Sequence, residues 1–282
     1  MNVVVVYNPK SGSALPANEL RTLFDDVDVA IIEFVDVTDD IKKSLKKYTN
    51  SQTIIAAIGG DGTINSVAQQ IVDTPAILAP LPGGTLNHFT KDLGIDQDLA
   101  TAISNIPSST PRSIDVATVN ERLFLNNSSI GVYPSSLRTR KRFEDRLGKW
   151  PAAVIGTIRA TVSYHLYDVT VSGQTFRTPF LFVGNNDYHI EAIGQSRDTL
   201  DAGTLSVYAI TIQHRRDLLK LFLYALIGKL SDHEHFHSYL TDSFTLHTKQ
   251  KKLSVSTDGE LFVESSPLTY AIKKRSLKII GS

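Results

Sequence analysis

A chain of 282 residues, 41% apolar and 21% charged, has the length for two domains, or one large one, with a real core. Its 29 Lys and Arg balance 29 Asp and Glu, which argues against a protein built mainly to bind nucleic acid, and the absence of cysteine excludes disulfides, thiolate zinc sites and thiol catalysis. The longest apolar stretch, Leu218 to Leu230, is broken by Lys220 and Lys229 and is too short to span a bilayer; no charged and apolar leader precedes the first strand-like run, so the expectation is a cytoplasmic protein with at most peripheral membrane contact.

Val3 to Tyr7 reads as the first strand, running into the polar turn Asn8-Pro9-Lys10-Ser11-Gly12-Ser13. In open α/β sheets the C-terminal ends of strands are where ligands bind. Glu19 to Phe24 predicts a short amphipathic helix, Val29 to Val35 a second strand ending at Asp36-Val37-Thr38, and Asp39 to Tyr48 a lysine-rich surface helix. The apolar run from Ile54 is a buried parallel strand by its composition. It ends in Gly59-Gly60-Asp61-Gly62, after which Ile64, Val67, Ala68, Ile71 and Val72 mark the stripe of a core-facing helix. Ala76 to Leu81 predicts a further strand, followed by Pro82-Gly83-Gly84-Thr85-Leu86-Asn87-His88-Phe89 and another helix-compatible segment. Strand and helix in alternation, with loops at the strand ends, is the pattern of a doubly wound parallel sheet.

Near residue 112 strands begin to dominate: Ser113 to Val119, Arg122 to Asn126, Ser128 to Val132, Tyr167 to Val171, Thr175 to Thr178, Phe180 to Gly184 and Thr204 to Ile210. Two helices are expected among them, Pro151 to about Tyr164 and Arg215 to Leu230, and Gly173-Gln174 marks a tight turn. The tail adds strands at Ser243 to Thr248, Lys252 to Ser256, Leu261 to Glu264, Leu268 to Ile272 and Leu277 to Ile280. The expected division is a nucleotide-binding α/β domain over 1–117, with 274–282 able to return to it, and a largely antiparallel β-rich substrate domain over 118–273. The absence of a long linker predicts close packing with a cleft.

Three glycines in four positions at a strand-to-helix turn suggest a phosphate cradle, because glycine admits positive φ and close approach, and amides at a helix N-terminus attract anions. The second turn, Gly83, Gly84 and Thr85, stands at the same end of the expected sheet, and the Asn8 to Gly12 loop adds a third. No G-x-x-x-x-G-K-[ST] and no G-x-G-x-x-G occurs, so neither a Walker loop nor a dinucleotide fingerprint is present. Asp258-Gly259 separates two strand-like runs and is a favoured hairpin turn. A carboxylate there could instead accept a proton from a hydroxyl attacking a γ-phosphate, a reaction that asks mainly for positioning and charge stabilisation.

Tyr-Asn-Pro-Lys-Ser-Gly, Gly-Gly-Asp-Gly-Thr-Ile-Asn, Pro-Gly-Gly-Thr-Leu-Asn-His-Phe and the Asp-Gly-Glu at 258–260 together resemble the diacylglycerol kinase catalytic-domain family, which includes soluble bacterial lipid kinases and sphingosine kinases. The order and spacing agree over essentially the whole chain; the Gly-Asp-Gly turn alone is shared with NAD kinases and 6-phosphofructokinases. The resemblance implies an α/β N-terminal domain of the NAD kinase and phosphofructokinase kind, a C-terminal antiparallel β-sandwich, and ATP with Mg2+ held between them. It implies ATP contacts from Asn8, Lys10, Ser11, Gly12, Thr38, Gly59, Gly60, Asp61, Gly62, Thr63, Asn65 and Thr85. By the same resemblance Asp258 matches a proton acceptor supported by Glu260, and Asp61 and Asp115 match acids of a water–magnesium network; in sphingosine kinases the acid at the Asp61 position has also been considered as the base. Two positions depart from the pattern. His88 stands where soluble bacterial members carry a further acid of that network, and Asp201-Ala202-Gly203 stands where they carry Asp-Asp-Gly at a structural magnesium loop.

The basic run Arg138, Arg140, Lys141, Arg142, Arg146 and Lys149, with Trp150, could meet anionic lipid headgroups or form a solvated loop balanced by Glu144 and Asp145. Asp232-His233-Glu234-His235-Phe236-His237 could chelate a metal or form a polar edge, and the helix around Leu218 to Ile227 is expected to face the core. The leading expectation is an ATP-dependent kinase of diacylglycerol or a related lipid alcohol. The alternatives are a kinase of a soluble alcohol such as NAD and a nucleotide-binding regulatory protein without turnover.

Overall fold

The structure, a computed structural model, describes residues 1–11, 15–131, 166–171, 173–191, 194–211 and 235–281. Gly12, the basic run 138–149 with Trp150, the helices expected over 151–164 and 215–230, and residues 232–234 of the histidine-rich run lie outside the described residues. Backbone contacts divide the chain into two compact units, residues 1–116 with 273–282, and residues 117–272.

The first unit runs β1 (Asn2–Tyr7), α1 (Ala17–Thr22), β2 (Ala30–Asp36), α2 (Ile41–Leu45), β3 (Ile54–Gly59), α3 (Asp61–Ile71), β4 (Ile77–Pro82), α4 (His88–Asp92), α5 (Leu99–Ser104) and the start of β5 (Arg112–Val119). Its strands lie in the order β2-β1-β3-β4, all parallel, and Lys278 and Ile279 of the last strand add parallel to β4. Every residue of β3 is buried, as a central parallel strand covered on both faces requires. Pro80 and Pro82 sit in β4 beyond the two residues paired with the last strand, where a residue without an N–H is tolerated. Val3, Val5, Ile54, Ala56 and Ile58 pack with Leu20, Phe24, Ile103 and Ile106 into one core. In α3 the expected stripe is buried at Ile64, Val67, Ala68 and Ile71, but Val72 has already left the helix at ψ 144°. The lysine-rich helix is short: Asp40 caps it by accepting from Lys43 N at 3.1 Å, and it passes into a 3-10 turn at Lys46–Tyr48.

The second unit takes the end of β5 and then β6 (Arg122–Phe124), β7 (Asn127–Gly131), β8 (Tyr167–Val171), β9 (Gln174–Thr178), β10 (Phe180–Asn185), β11 (Tyr188–Glu191), β12 (Gly194–Arg197), β13 (Leu205–Ile210), β14 (Phe236–Thr241), β15 (Ser243–His247), β16 (Lys252–Thr257), β17 (Glu260–Ser265) and most of β18 (Leu268–Ile279). β18, β15, β8 and β9 pair antiparallel in that order. A separate antiparallel sheet runs β14-β13-β10-β7-β16-β17. The two sheets bury Val169, Val171, Phe244, Leu246, Leu268 and Tyr270 of one against Ile130, Leu181, Val183, Leu205, Val207, Leu253 and Val255 of the other, the antiparallel sandwich that was expected.

The sequence reads two tail strands where the structure has one. The charged stretch Lys273-Lys274-Arg275 continues β18, with Arg275 at φ +49° and its amide donating to Asp115 Oδ1 at 2.7 Å. Asp115 thereby holds an irregular point of a strand that patterning alone treats as a break. The β11–β12 hairpin and β14 were not expected. His237 lies in β14, its ring against Phe176 and Tyr239 and its Nε2 2.9 Å from Thr211 Oγ1. Among the described residues no group of three His, Cys, Asp or Glu is placed to hold a metal ion, and none of their helices is long and apolar enough to cross a membrane.

Candidate functional site

The loops after β1, β3 and β4 are tied to one another. Asn8 N donates to Ile58 O at 3.3 Å, and the Asn8 side-chain amide donates to Thr63 Oγ1 at 3.3 Å. Asn8 Oδ1 also accepts from Lys10 N at 2.9 Å, which fixes the turn on which the exposed Lys10 stands. The Ser11 hydroxyl donates to Gly83 O, and Gly83 N donates to Gly59 O at 3.1 Å. Gly84 N donates to Asn87 Oδ1 at 2.9 Å, with Asn87 itself at φ +51°. Asn8, Ser11, Gly59, Thr63 and the 83–84 turn therefore form one constellation.

The glycines serve it differently from the expectation. None of Gly59, Gly60, Gly62, Gly83 or Gly84 has positive φ. Their lack of a side chain is needed because the two turns pack directly on each other. A Cβ on Gly84 would lie 2.4 Å from Gly60 Cα, one on Gly83 would lie 2.8 Å from Gly59 N, and one on Gly59 would lie 2.5 Å from Thr63 Oγ1. Gly60 is also the N-cap of α3 and brings no side chain to its first amides. That leaves the positive end of an eleven-residue helix addressed by backbone alone, the arrangement that suits a phosphate.

Asp61 does not project from this cradle as a lone acid. Its Oδ2 accepts from His88 N at 3.1 Å and its Oδ1 from Phe89 N at 2.9 Å, so it caps α4 from the neighbouring turn. His88 contributes its backbone there, and Lys91 Nζ donates to Leu86 O at 2.7 Å at the turn's tip. Thr85 is exposed beyond Gly84, and Asn65 is half-buried in α3. Thr38 follows β2, where its amide and hydroxyl both donate to Asp36 Oδ1 at 2.8 Å. In the loop that departs from the Asp-Asp-Gly pattern, Asp201 Oδ1 accepts from the Thr199 hydroxyl at 2.7 Å and Gly203 N donates to Asn186 Oδ1 at 3.1 Å.

In the second unit Asp258 and Gly259 are the two central residues of the β16–β17 hairpin, at φ +46° and +80°, the primed turn that Asp-Gly favours. Asp258 is more than a turn residue. Its carboxylate accepts from three successive amides, Leu125 at 2.8 Å, Asn126 at 2.9 Å and Asn127 at 3.0 Å, while its own amide donates to Asn127 O at 2.9 Å. The 125–127 segment is held from its other side by Arg197, whose Nη1 donates to Leu125 O at 2.7 Å and whose Nη2 donates to Asn126 Oδ1 at 2.9 Å. Asn185 adds a bond from its side-chain amide to Leu125 O at 2.9 Å. Nothing local points to Arg197 or Asn185, because their partners lie some 60 to 70 positions earlier. Glu260 begins β17 and is exposed.

Residues 2–119 match the family model described as the diacylglycerol kinase catalytic domain. A protein of Staphylococcus carnosus (strain TM300), provisionally named a lipid kinase, is 25% identical over 262 residues, covering 86% of this chain and 82% of its own length. A diacylglycerol kinase of Staphylococcus saprophyticus is 31% identical over 137 residues, covering 45% of this chain and 44% of its own length. A crystal structure of a Bacillus anthracis protein described as a diacylglycerol kinase superposes over 100% of this chain and 97% of its own with a TM-score of 0.67 at 20% identity, which shows a shared fold.

Proposed function

We propose that this chain, whose residues 2–119 match the diacylglycerol kinase catalytic-domain model, is a phosphotransferase with an alcohol group as acceptor and transfers the γ-phosphate of ATP to a hydroxyl of diacylglycerol or a related lipid alcohol. The observation that carries the reading is the direct packing of Gly60 on Gly84, which sets two glycine turns and the uncapped start of α3 side by side. Asn8, Lys10, Ser11, Gly12, Thr38, the 59–65 loop and Thr85 are assigned to ATP. Backbone amides and the α3 dipole would hold the phosphates, so the chain needs no Walker lysine.

Asp258 is assigned as the group that receives the proton of the lipid hydroxyl, with Glu260 beside it in the hairpin. The three amides orient its carboxylate, and a carboxylate has acceptor capacity beyond three hydrogen bonds. Phosphoryl transfer demands little of the base beyond position, since the transition state is loose. Magnesium, arriving with ATP, would supply neutralisation of phosphate charge. Asp61 and Asp115 are assigned to it as acceptors from metal-bound water, because Asp61 already accepts an amide on each oxygen and Asp115 accepts one on Oδ1. A cytoplasmic protein working at the membrane surface fits this assignment.

The test is label transfer from γ-labelled ATP to diacylglycerol, other lipid alcohols and NAD, with products identified by mass. Label on a lipid phosphate is the expected result. Label on NAD alone would establish the soluble-alcohol alternative, and ATP binding without transfer would establish the regulatory one.

A further inference from the structure

A cavity of about 400 Å³ opens in the first unit, between the end of β4, α5, the connection from α5 to β5 and the residues that follow β18. That volume lies inside the roughly 300–1,000 Å³ of small-molecule sites. None of its lining residues is among those assigned to ATP. Its floor is apolar and buried: Leu81 of β4, Ala102 of α5, Ile106 and Ile280 all belong to the core on that face of the parallel sheet. Its rim is polar and exposed, and it carries one charge of each sign, Asp96 and Arg112. The two do not pair with each other. The Arg112 guanidinium makes no hydrogen bond or ion pair among the described residues, and Asp96 uses only Oδ1, which accepts from Asp98 N at 2.8 Å. The rim serines are already engaged, since the hydroxyls of Ser108 and Ser109 both donate to Asn105 O, at 3.0 and 2.8 Å.

We propose that this cavity binds a free α-amino acid with a large apolar side chain. The side chain rests on Leu81, Ala102, Ile106 and Ile280, the carboxylate takes the planar fork of Arg112, and the ammonium meets Asp96. The placement of charge selects this class. A simple organic acid leaves Asp96 unanswered, and an apolar amine leaves Arg112 unanswered. A zwitterionic lipid headgroup entering from solvent would set its charges on the apolar floor and its chains at the ionic rim. An apolar amino acid has its charges at one end and its apolar body at the other, as the cavity does. The site lies apart from the phosphate loops, and the proposal does not rest on the lipid-kinase reading.

The experiment is titration calorimetry on the full chain with leucine and phenylalanine, and with three probes that each lack one part of leucine. Glycine lacks the side chain, isocaproate the ammonium and isopentylamine the carboxylate. Leucine or phenylalanine is expected to bind saturably. Glycine should bind at least roughly tenfold more weakly than the better of them, the worth of a buried apolar side chain. Isocaproate and isopentylamine should each bind about 3- to 10-fold more weakly than leucine, the worth of one hydrogen-bonded ion pair at an exposed rim. Arg112→Gln and Asp96→Asn should weaken the amino acid by the same factor with the melting temperature of the free protein unchanged, because asparagine keeps an acceptor for Asp98 N. No saturable binding of either amino acid at millimolar concentration overturns the proposal. Binding that both variants leave unchanged overturns it by placing the amino acid elsewhere. Isocaproate or isopentylamine binding as tightly as leucine overturns it by making the cavity a simple acid or amine pocket. Label transfer to lipid is a separate measurement, so none of these outcomes decides the lipid-kinase reading.

Discussion

Gly84 and Gly259, each in a turn, solve opposite problems. Gly84, in the first unit, sits at ordinary φ and is crowded: a Cβ there would lie 2.4 Å from Gly60 Cα. Gly259, in the second unit, is at φ +80° with nothing within 4 Å of where a Cβ would go. The first glycine is needed for a contact and the second for a dihedral. The first builds a surface of backbone amides by letting two loops touch. The second turns a strand back on itself at the residue, Asp258, that reaches the amides of residues 125–127. Glycine content alone does not distinguish a binding loop from a hairpin; what its missing side chain would strike does.

The largest effect is expected from Gly84→Ala, where two backbones must separate. A stability loss of about 3 kcal/mol and at least roughly tenfold weaker ATP binding are predicted, read by denaturant unfolding and titration calorimetry. Gly259→Ala should cost only about 1 kcal/mol, the penalty of a left-handed alanine, and leave ATP affinity untouched. Equal losses of ATP affinity in the two variants would break the contrast. Next comes Arg197→Lys. A lysine cannot supply the fork that bonds Leu125 O and Asn126 Oδ1 together, so a loss of about 2 kcal/mol and a fall in kcat at constant KM for ATP are expected in steady-state assays. Asp61→Asn retains one acceptor oxygen for two amides and should cost about 1–2 kcal/mol on chemical denaturation.

The smallest effect concerns pH. The amide and then the hydroxyl of Thr101 hold the Asp98 carboxyl below its ordinary value at the start of α5. A depressed folded value means stability that is present above the unfolded value and lost as pH falls through the folded one. The melting temperature of Asp98→Ala should therefore approach that of the parent in acid and fall short of it near neutrality. A constant difference across that range would contradict the assignment.

The first unit was legible because its information is local. Strand, glycine turn and helix follow one another within about 20 residues, and the burial of all six residues of β3 matches its unbroken apolar run. Even there, nothing local announces that the Asp61 carboxylate spans to the amides of residues 88 and 89. The second unit was legible in its strands but not in its register. Asp-Gly announced a hairpin, but nothing in the sequence told that Asp258 would bind residues 125–127, about 130 positions away. Ser129 and Ser256 are unremarkable in sequence and become neighbours only through the β7–β16 pairing. Charge misled once: Lys273 to Arg275 reads as a gap, whereas β18 continues through it with an irregular point at Arg275.

The division of labour between the units is tested most directly by Asp258→Asn, assayed at a temperature where the variant is folded by its melting curve. The affinity for ATP should equal that of the parent, because every residue proposed to bind ATP lies in the first unit. Transfer of label to the lipid should fall about 100-fold or more, the contribution of a positioned base. Turnover at the parental rate with intact ATP binding would show that Asp258 is a turn residue and that the proton is taken elsewhere.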